Sequence, residues 1–228
     1  MIDFDEPIKV LDKGYVKLVD WMGDDISIVR AARVSYNAKP RYDGSDEKLL
    51  KYLLTNGHTS PFESVIFTFE VKAPIFVFRQ WRTHRTWSYN EVSARYTEVA
   101  DEFYIPDLHD ICGQSTTNKQ GRSESSLGHP ELVQSLITHE FESCYKTYET
   151  LLSSGVAREL ARIVLPVATY SKMFATVDLH NLFHFIKLRL HPHAQLEIRV
   201  YAEAMLKLIE PIVPLSVKYW KELNNVPT

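Results

Sequence analysis

Between Val65 and Lys72 the chain alternates: Val65, Phe67, Phe69 and Val71 stand on one set of positions, and Ile66, Thr68, Glu70 and Lys72 on the other. A period of two sends successive side chains to opposite faces of a strand, so one face is built for burial. Pro74 follows. Proline suits the first turn of a helix, where its missing N–H costs nothing, and the pattern predicts a helix from there to about Arg85. A buried strand leading straight into a helix must pack that helix against other apolar surface.

The flanking stretches supply it. Residues 9–19 alternate enough to read as a strand. Asp24 or Asp25 can cap a helix to about Tyr36, with Ile26, Val29 and Ala32 on one face. Ser45 can cap a second helix, with Asp46 and Glu47 in its first turn, Leu49, Leu50, Leu53 and Leu54 on its apolar face, and Gly57 at its end. Residues 86–93 read as a polar turn and Arg95–Val99 as a short extended piece. Residues 109–130 are rich in Ser, Gly, Gln and Asn with no apolar period, which predicts a mobile loop. Helices are expected over 131–153, ended by Gly155, and over 156–164, ended near Pro166. Residues 167–177 are strand-like, Asp178 caps a helix to about Leu190, and a last helix covers 193–209. Helices outnumber strands and do not alternate regularly with them. The expected class is therefore α+β: one compact domain over 1–228, mostly helical, with a small, largely antiparallel sheet.

Composition narrows the function. The formal net charge of -3 argues against a nucleic-acid binder, so an anionic ligand needs a local basic cluster. No apolar run approaches the roughly 20 residues of a membrane helix, and the acidic N-terminus is unlike a secretory signal. Cys112 and Cys144 have neither metal spacing nor a disulfide framework. A cytoplasmic enzyme is the expectation. The eight glycines form no G-x-G-x-x-G and no phosphate loop, which disfavours a Rossmann-type dinucleotide site.

The basic cluster is present. Gln80 to Arg95 reads Q-W-R-T-H-R-T-W-S-Y-N-E-V-S-A-R, with Arg79 just before it. Arginine forks match phosphate oxygens in pairs, and a turn with free N–H groups and Ser hydroxyls can wrap a phosphate. Glu91 can accept from a sugar hydroxyl or a base N–H. Composition alone also fits a solvated, charged helix end.

This stretch resembles the signature of the flavin-dependent thymidylate synthases: Arg-His-Arg, then Ser and Asn, then Ser-x-Arg. The match lies at His84, Arg85, Ser88, Asn90, Ser93 and Arg95. Phe62-Glu63, Phe67-Thr68-Phe69, Val71 to Val77, Phe103 to Pro106, Ala161 to Pro166, Leu188-Arg189 and His193-Ala194-Gln195 are similar to family sequence too. The resemblance covers nearly the whole chain, least in 109–130. It departs at Thr83, where the motif has its first arginine, and at Asp178-Leu179-His180, where many members carry Asn-x-Arg. Arg82 stands one position before Thr83, and one residue turns a helical side chain by about 100°.

The resemblance implies reductive methylation of dUMP to dTMP, with methylenetetrahydrofolate as carbon donor and FAD reduced by NADPH. It implies that Gln80, Trp81, Arg82, Thr83, Glu91, Val92, Ser93, Ala94, Arg95 and Arg162 hold dUMP. Arg189 would sit over the uracil as the catalytic group, favouring its anionic form. Ser60, Thr83, His84, Arg85, Asn90, Glu91, Asp178, His180 and His184 would contact FAD, with His58 and His193 near flavin and folate. A homotetramer with shared sites is implied as well, with no metal, nucleic acid or membrane partner.

Other readings stand beside these. Arg162 lies three residues after Glu159, a spacing that suits a surface ion pair. The spacing of His180 and His184 also suits zinc, with His191 and His193 nearby. Cys144 reads as a buried thiol, and Cys112 lies in the polar loop, so neither is expected as a nucleophile. A non-catalytic nucleotide- or flavin-binding module, with Thr83 as the damage, is the alternative function. An RNA-binding protein is the second, disfavoured by the acidic balance.

Overall fold

The alternating stretch becomes the middle of the sheet. In a computed structural model that describes residues 6–226, Ile66–Pro74 forms β3. It pairs antiparallel with β2 (Gly14–Met22) on one side and β7 (Tyr170–Asp178) on the other. With β1 (Ile8–Val10) beyond β2 and β4 (Ser88–Glu91) beyond β7, the sheet runs β1-β2-β3-β7-β4 and every pair is antiparallel. Phe67, Phe69, Val71 and Ala73 are fully buried. At roughly 1.5–3 kcal/mol for each large apolar side chain, this one face anchors the core. The other face of β3 is polar: the Thr68 hydroxyl bonds that of Thr176 at 3.0 Å, Tyr15 donates to Glu70, and Lys72 donates to Glu102 at 2.7 Å.

Helices cover the apolar face. Pro74 immediately precedes α3 (Ile75–Trp81), Asp178 caps α6 (Leu179–Arg189) by accepting from the Asn181 N–H at 2.9 Å, and α7 (Leu196–Ile209) crosses β1 and β2. Tyr201 of α7 donates to the Lys72 carbonyl at 2.8 Å beside Gly14, where a Cβ would run into the Tyr201 hydroxyl, so glycine is required there. A second layer holds α1 (Asp25–Val34), α2 (Gly44–Thr55) and α8 (Pro214–Asn224). Asp24 and Ser27 form a reciprocal cap for α1. Asp25 is buried and accepts from Leu215 N (2.8 Å), Ser216 N (3.1 Å) and Ser216 Oγ (2.5 Å), so it caps α8 from across the molecule. On the far side α4 (Pro130–Ser153) packs on α5 (Arg158–Ala161) and the 3-10 turn Arg162–Val164, with Phe103, Phe141, Tyr145 and Tyr148 in contact.

Several expectations change. The strand over 9–19 is two strands, with Leu11 in the left-handed region between them. Asp43, not Ser45, caps α2, accepting from Ser45 N at 2.8 Å. The third helix stops at Trp81, and part of the presumed turn at 86–93 is β4, held by its pairing with β7. Ala94–Tyr96 is a turn rather than an extended piece. The last helix is α8, whose Pro214 sits in its first turn. Residues 109–130 contain a hairpin, β5 (Cys112–Gln114) and β6 (Arg122–Ser126). Arg122 ties it down by pairing with the buried Glu197 and donating to the Asp110 carbonyl at 2.9 Å. Cys144 is half-buried, with its thiol 3.8 Å from Glu140, rather than buried. Among the described residues no helix is long and apolar enough to cross a membrane.

Candidate active site

The polar stretch after α3 is positioned by an aromatic block. The Trp81 ring is fully buried, stacked on Phe185 with centroids 4.7 Å apart and edge-on to Trp87 and Tyr201. Trp81, expected among the residues that hold dUMP, has its side chain in the core. The block fixes the end of α3, so that Gln80, Arg82, Thr83 and His84 emerge at set angles.

His84 is buried, its ring edge-on to Phe185 at 4.9 Å and to His184 at 5.9 Å. Arg189, at the end of α6, donates from Nε to His84 Nε2 at 3.0 Å, and from Nη2 to the Gln80 carbonyl and to Thr83 Oγ1, both at 3.2 Å. Burial first, then the Arg189 and His184 charges, push the His84 pKa down to about 4. The ring is therefore neutral near pH 7. Its Nε2 is already engaged by Arg189.

Arg82 turns the other way and pairs with Glu91 on β4. Glu91 lines a cavity of about 590 Å³ with Val92, Ala94 and Arg162. These four are among the residues expected to hold dUMP. Lys72, Tyr15 and Tyr170 line the same cavity; sequence reasoning missed them, and the one signal was the polar face of β3. Its volume lies within the roughly 300–1,000 Å³ of small-molecule sites. Arg162 does not pair with Glu159; Arg95 does, at 3.2 Å. Ser93 Oγ accepts from the Arg95 N–H at 3.3 Å. Gln80 donates to Gln195, another residue that spacing did not single out.

On the opposite side of His84, His184 lines a smaller pocket of about 190 Å³ with His58, His180, Thr59, Phe183 and Trp220. Imidazoles and a hydroxyl beside aromatic rings fit part of a flavin dinucleotide, but the pocket is below the usual range for a whole ligand. Ser60, Arg85 and Asn90 are exposed, whereas Asp178 uses both carboxylate oxygens on Asn181. His193 is exposed, 4.8 Å from the His191 ring and apart from this group. His180 and His184 gather no third metal ligand; among the described residues the one such grouping is Asp107, His109 and Asp110, near the hairpin. A polar track thus runs from the larger cavity through Glu91, Arg82 and Thr83 to Arg189, His84 and the histidine pocket.

The fold is similar to that of solved nucleotide methylases. Two solved structures of the UMP/dUMP methylase PolB from Streptomyces cacaoi are similar, one bound with 5-Br UMP and one with 5-Br dUMP. They give TM-scores of 0.85 and 0.86 at 38% identity, and cover 95% and 97% of this chain and 97% and 100% of those chains. The chain belongs to the family described as thymidylate synthase complementing protein, whose pattern matches residues 17–215. A flavin-dependent thymidylate synthase of Treponema denticola is 50% identical over 215 residues, covering 93% of this chain and 80% of that one. One from Thermus thermophilus is 50% identical over 215 residues, covering 94% of this chain and 78% of that one.

Proposed function

We propose that the protein is a flavin-dependent thymidylate synthase that methylates C5 of dUMP. The observation that carries this reading is the Arg189 guanidinium, fixed by three acceptors and linked through Thr83, Arg82 and Glu91 to a nucleotide-sized cavity. A fixed cation beside a uracil favours its N3-deprotonated, electron-rich form, which makes C5 a better nucleophile toward a methylene donor. Methylenetetrahydrofolate supplies the carbon, the C5 hydrogen leaves as a proton, and tetrahydrofolate is released. Reduced FAD, held by the flavin-side residues, would supply the two electrons that turn methylene into methyl, and NADPH would reduce it again. Glu91, Val92, Ser93, Ala94, Arg95 and Arg162 form one half of the nucleotide site, and Gln80, Arg82, Thr83 and Arg189 the other. Ser60, Arg85, Asn90, His58, His180, His184 and His193 are the flavin and folate side.

The small histidine pocket favours flavin held between copies of the chain, in a homotetramer with shared sites. Exposed Leu132 and Leu136 on α4, and Leu160 and Ile163 on the short helices beside it, offer apolar surface for such contacts. We place the enzyme in the cytoplasm. The non-catalytic reading took Thr83 as damage, yet its hydroxyl accepts from Arg189. The test is tritium release from 5-labelled dUMP with FAD, NADPH and methylenetetrahydrofolate. Release matched by dTMP is expected; a folded, FAD-loaded protein that releases none would refute the proposal.

A further inference from the structure

An arginine side chain carries five N–H donors and no acceptor. In Arg189 three are spent inside the protein: Nε–H on His84 Nε2, and both Nη2 hydrogens on the Gln80 carbonyl and Thr83 Oγ1. Among the described residues no hydrogen bond is made by Nη1. The guanidinium is planar, so fixing one edge fixes the direction of the other.

The acceptors are themselves constrained. Thr83 Oγ1 has one proton, and it goes to the Gln80 carbonyl at 2.7 Å, which leaves only lone pairs for Arg189. His84 faces a group that can only donate, so its Nε2 carries the lone pair and a neutral ring keeps its proton on Nδ1. Phe185 and His184 hold that ring at its edges, and Tyr89 donates to the His84 carbonyl at 3.0 Å.

We infer that Thr83 and His84 are positioning residues: with the Gln80 carbonyl they form a cradle that orients Arg189 and leaves its Nη1 edge as the one presented to the pyrimidine. The use of that edge rests on the proposed function; the cradle does not. Thr83 stands where the family motif has arginine, and an arginine has no acceptor to offer here. In this chain the hydroxyl supports the catalytic cation.

Four substitutions test the cradle. Thr83→Val keeps shape and removes the acceptor, and Thr83→Ser restores it. His84→Leu removes the Nε2 lone pair, and His84→Gln places an amide oxygen near the same point. Misplacing a group by an ångström costs on the order of a hundredfold, so Thr83→Val is expected to lower kcat by about tenfold or more. Tm should stay near wild type, and the loss should fall on kcat far more than on KM for dUMP. Thr83→Ser should recover most of the rate, and His84→Gln part of what His84→Leu loses. A Thr83→Val kcat equal to wild type, or a Ser variant no better than Val, overturns the assignment.

A second readout is independent of turnover. In solid-state 15N spectra of histidine-labelled protein, with His84→Gln for assignment, the His84 ring should show protonated Nδ1 and bare Nε2. A protonated Nε2 at pH 7 overturns the cradle. Absent tritium release with the bare Nε2 intact would instead count against the proposed reaction alone.

Discussion

Arg122, on the second strand of the hairpin, pairs with Glu197 in the first turn of α7, where Tyr104 also donates to the carboxylate at 3.0 Å. Glu197 is buried, and its other oxygen has no partner. Removing one member of a buried pair strands the other, typically at a cost of about 3–5 kcal/mol. Arg122→Ala should therefore lower Tm and speed amide exchange at 112–126, leaving 66–78 protected. Unchanged exchange in the hairpin would show that other contacts hold it.

Arg82 is expected to serve the nucleotide through its position beside Glu91. Arg82→Ala should weaken dUMP binding roughly ten- to a hundredfold, the value of one charge-assisted hydrogen bond. Calorimetric titration measures this, and wild-type affinity in the variant would remove Arg82 from the site.

Thr83→Arg brings in the family's arginine but deletes the acceptor that faces Arg189 and adds a like charge beside it. Turnover should fall, and the gain in dUMP affinity should stay below the roughly 1.5–3 kcal/mol of a new charged hydrogen bond. A variant that turns over faster than wild type contradicts this.

The pH dependence has a definite sign. Burial and the charges of Arg189 and His184 hold the His84 pKa at about 4, against 6.5 in the open chain. Between these values the unfolded chain binds the extra proton, so stability is full above pH 6.5 and declines as pH falls toward 4. The slope for one site stays below about 1.4 kcal/mol per pH unit, reduced further by solvent screening. Tm against pH for wild type and His84→Gln should diverge only in that window; parallel curves would mean His84 titrates normally.

Neither cysteine lies among the residues assigned to the site, and burial and Glu140 raise the Cys144 pKa, which disfavours the thiolate. A Cys112→Ser, Cys144→Ser double variant should keep most dTMP formation. Loss of turnover in a folded variant that still binds FAD would reopen the question of a thiol nucleophile.

What could be read in advance was local. β3 announced itself by alternation, and Asp178 by its place three residues before the N–H it caps. β4 did not: Ser88 and Asn90 are exposed, Tyr89 and Glu91 half-buried, and their edge strand exists only through pairing with β7 some eighty residues later. Two prolines around Ile212 disguised α8. Motif order pointed to His84 and Arg189 separately, but their contact joins positions 105 apart, and no spacing rule reaches that far. The fate of Thr83 was equally hidden, because its partner depends on where α6 ends.

Asp25 sits in the first helix and finds its donors at Leu215 and Ser216. A chain growing from the ribosome therefore makes this carboxylate long before it makes the groups that satisfy it. Until α8 emerges, Asp25 must stay hydrated and the first two helices cannot close over it. The α1–α2–α8 layer thus cannot close until residues 214–224 have been made, and the nascent chain needs to remain soluble with that part of its core still open.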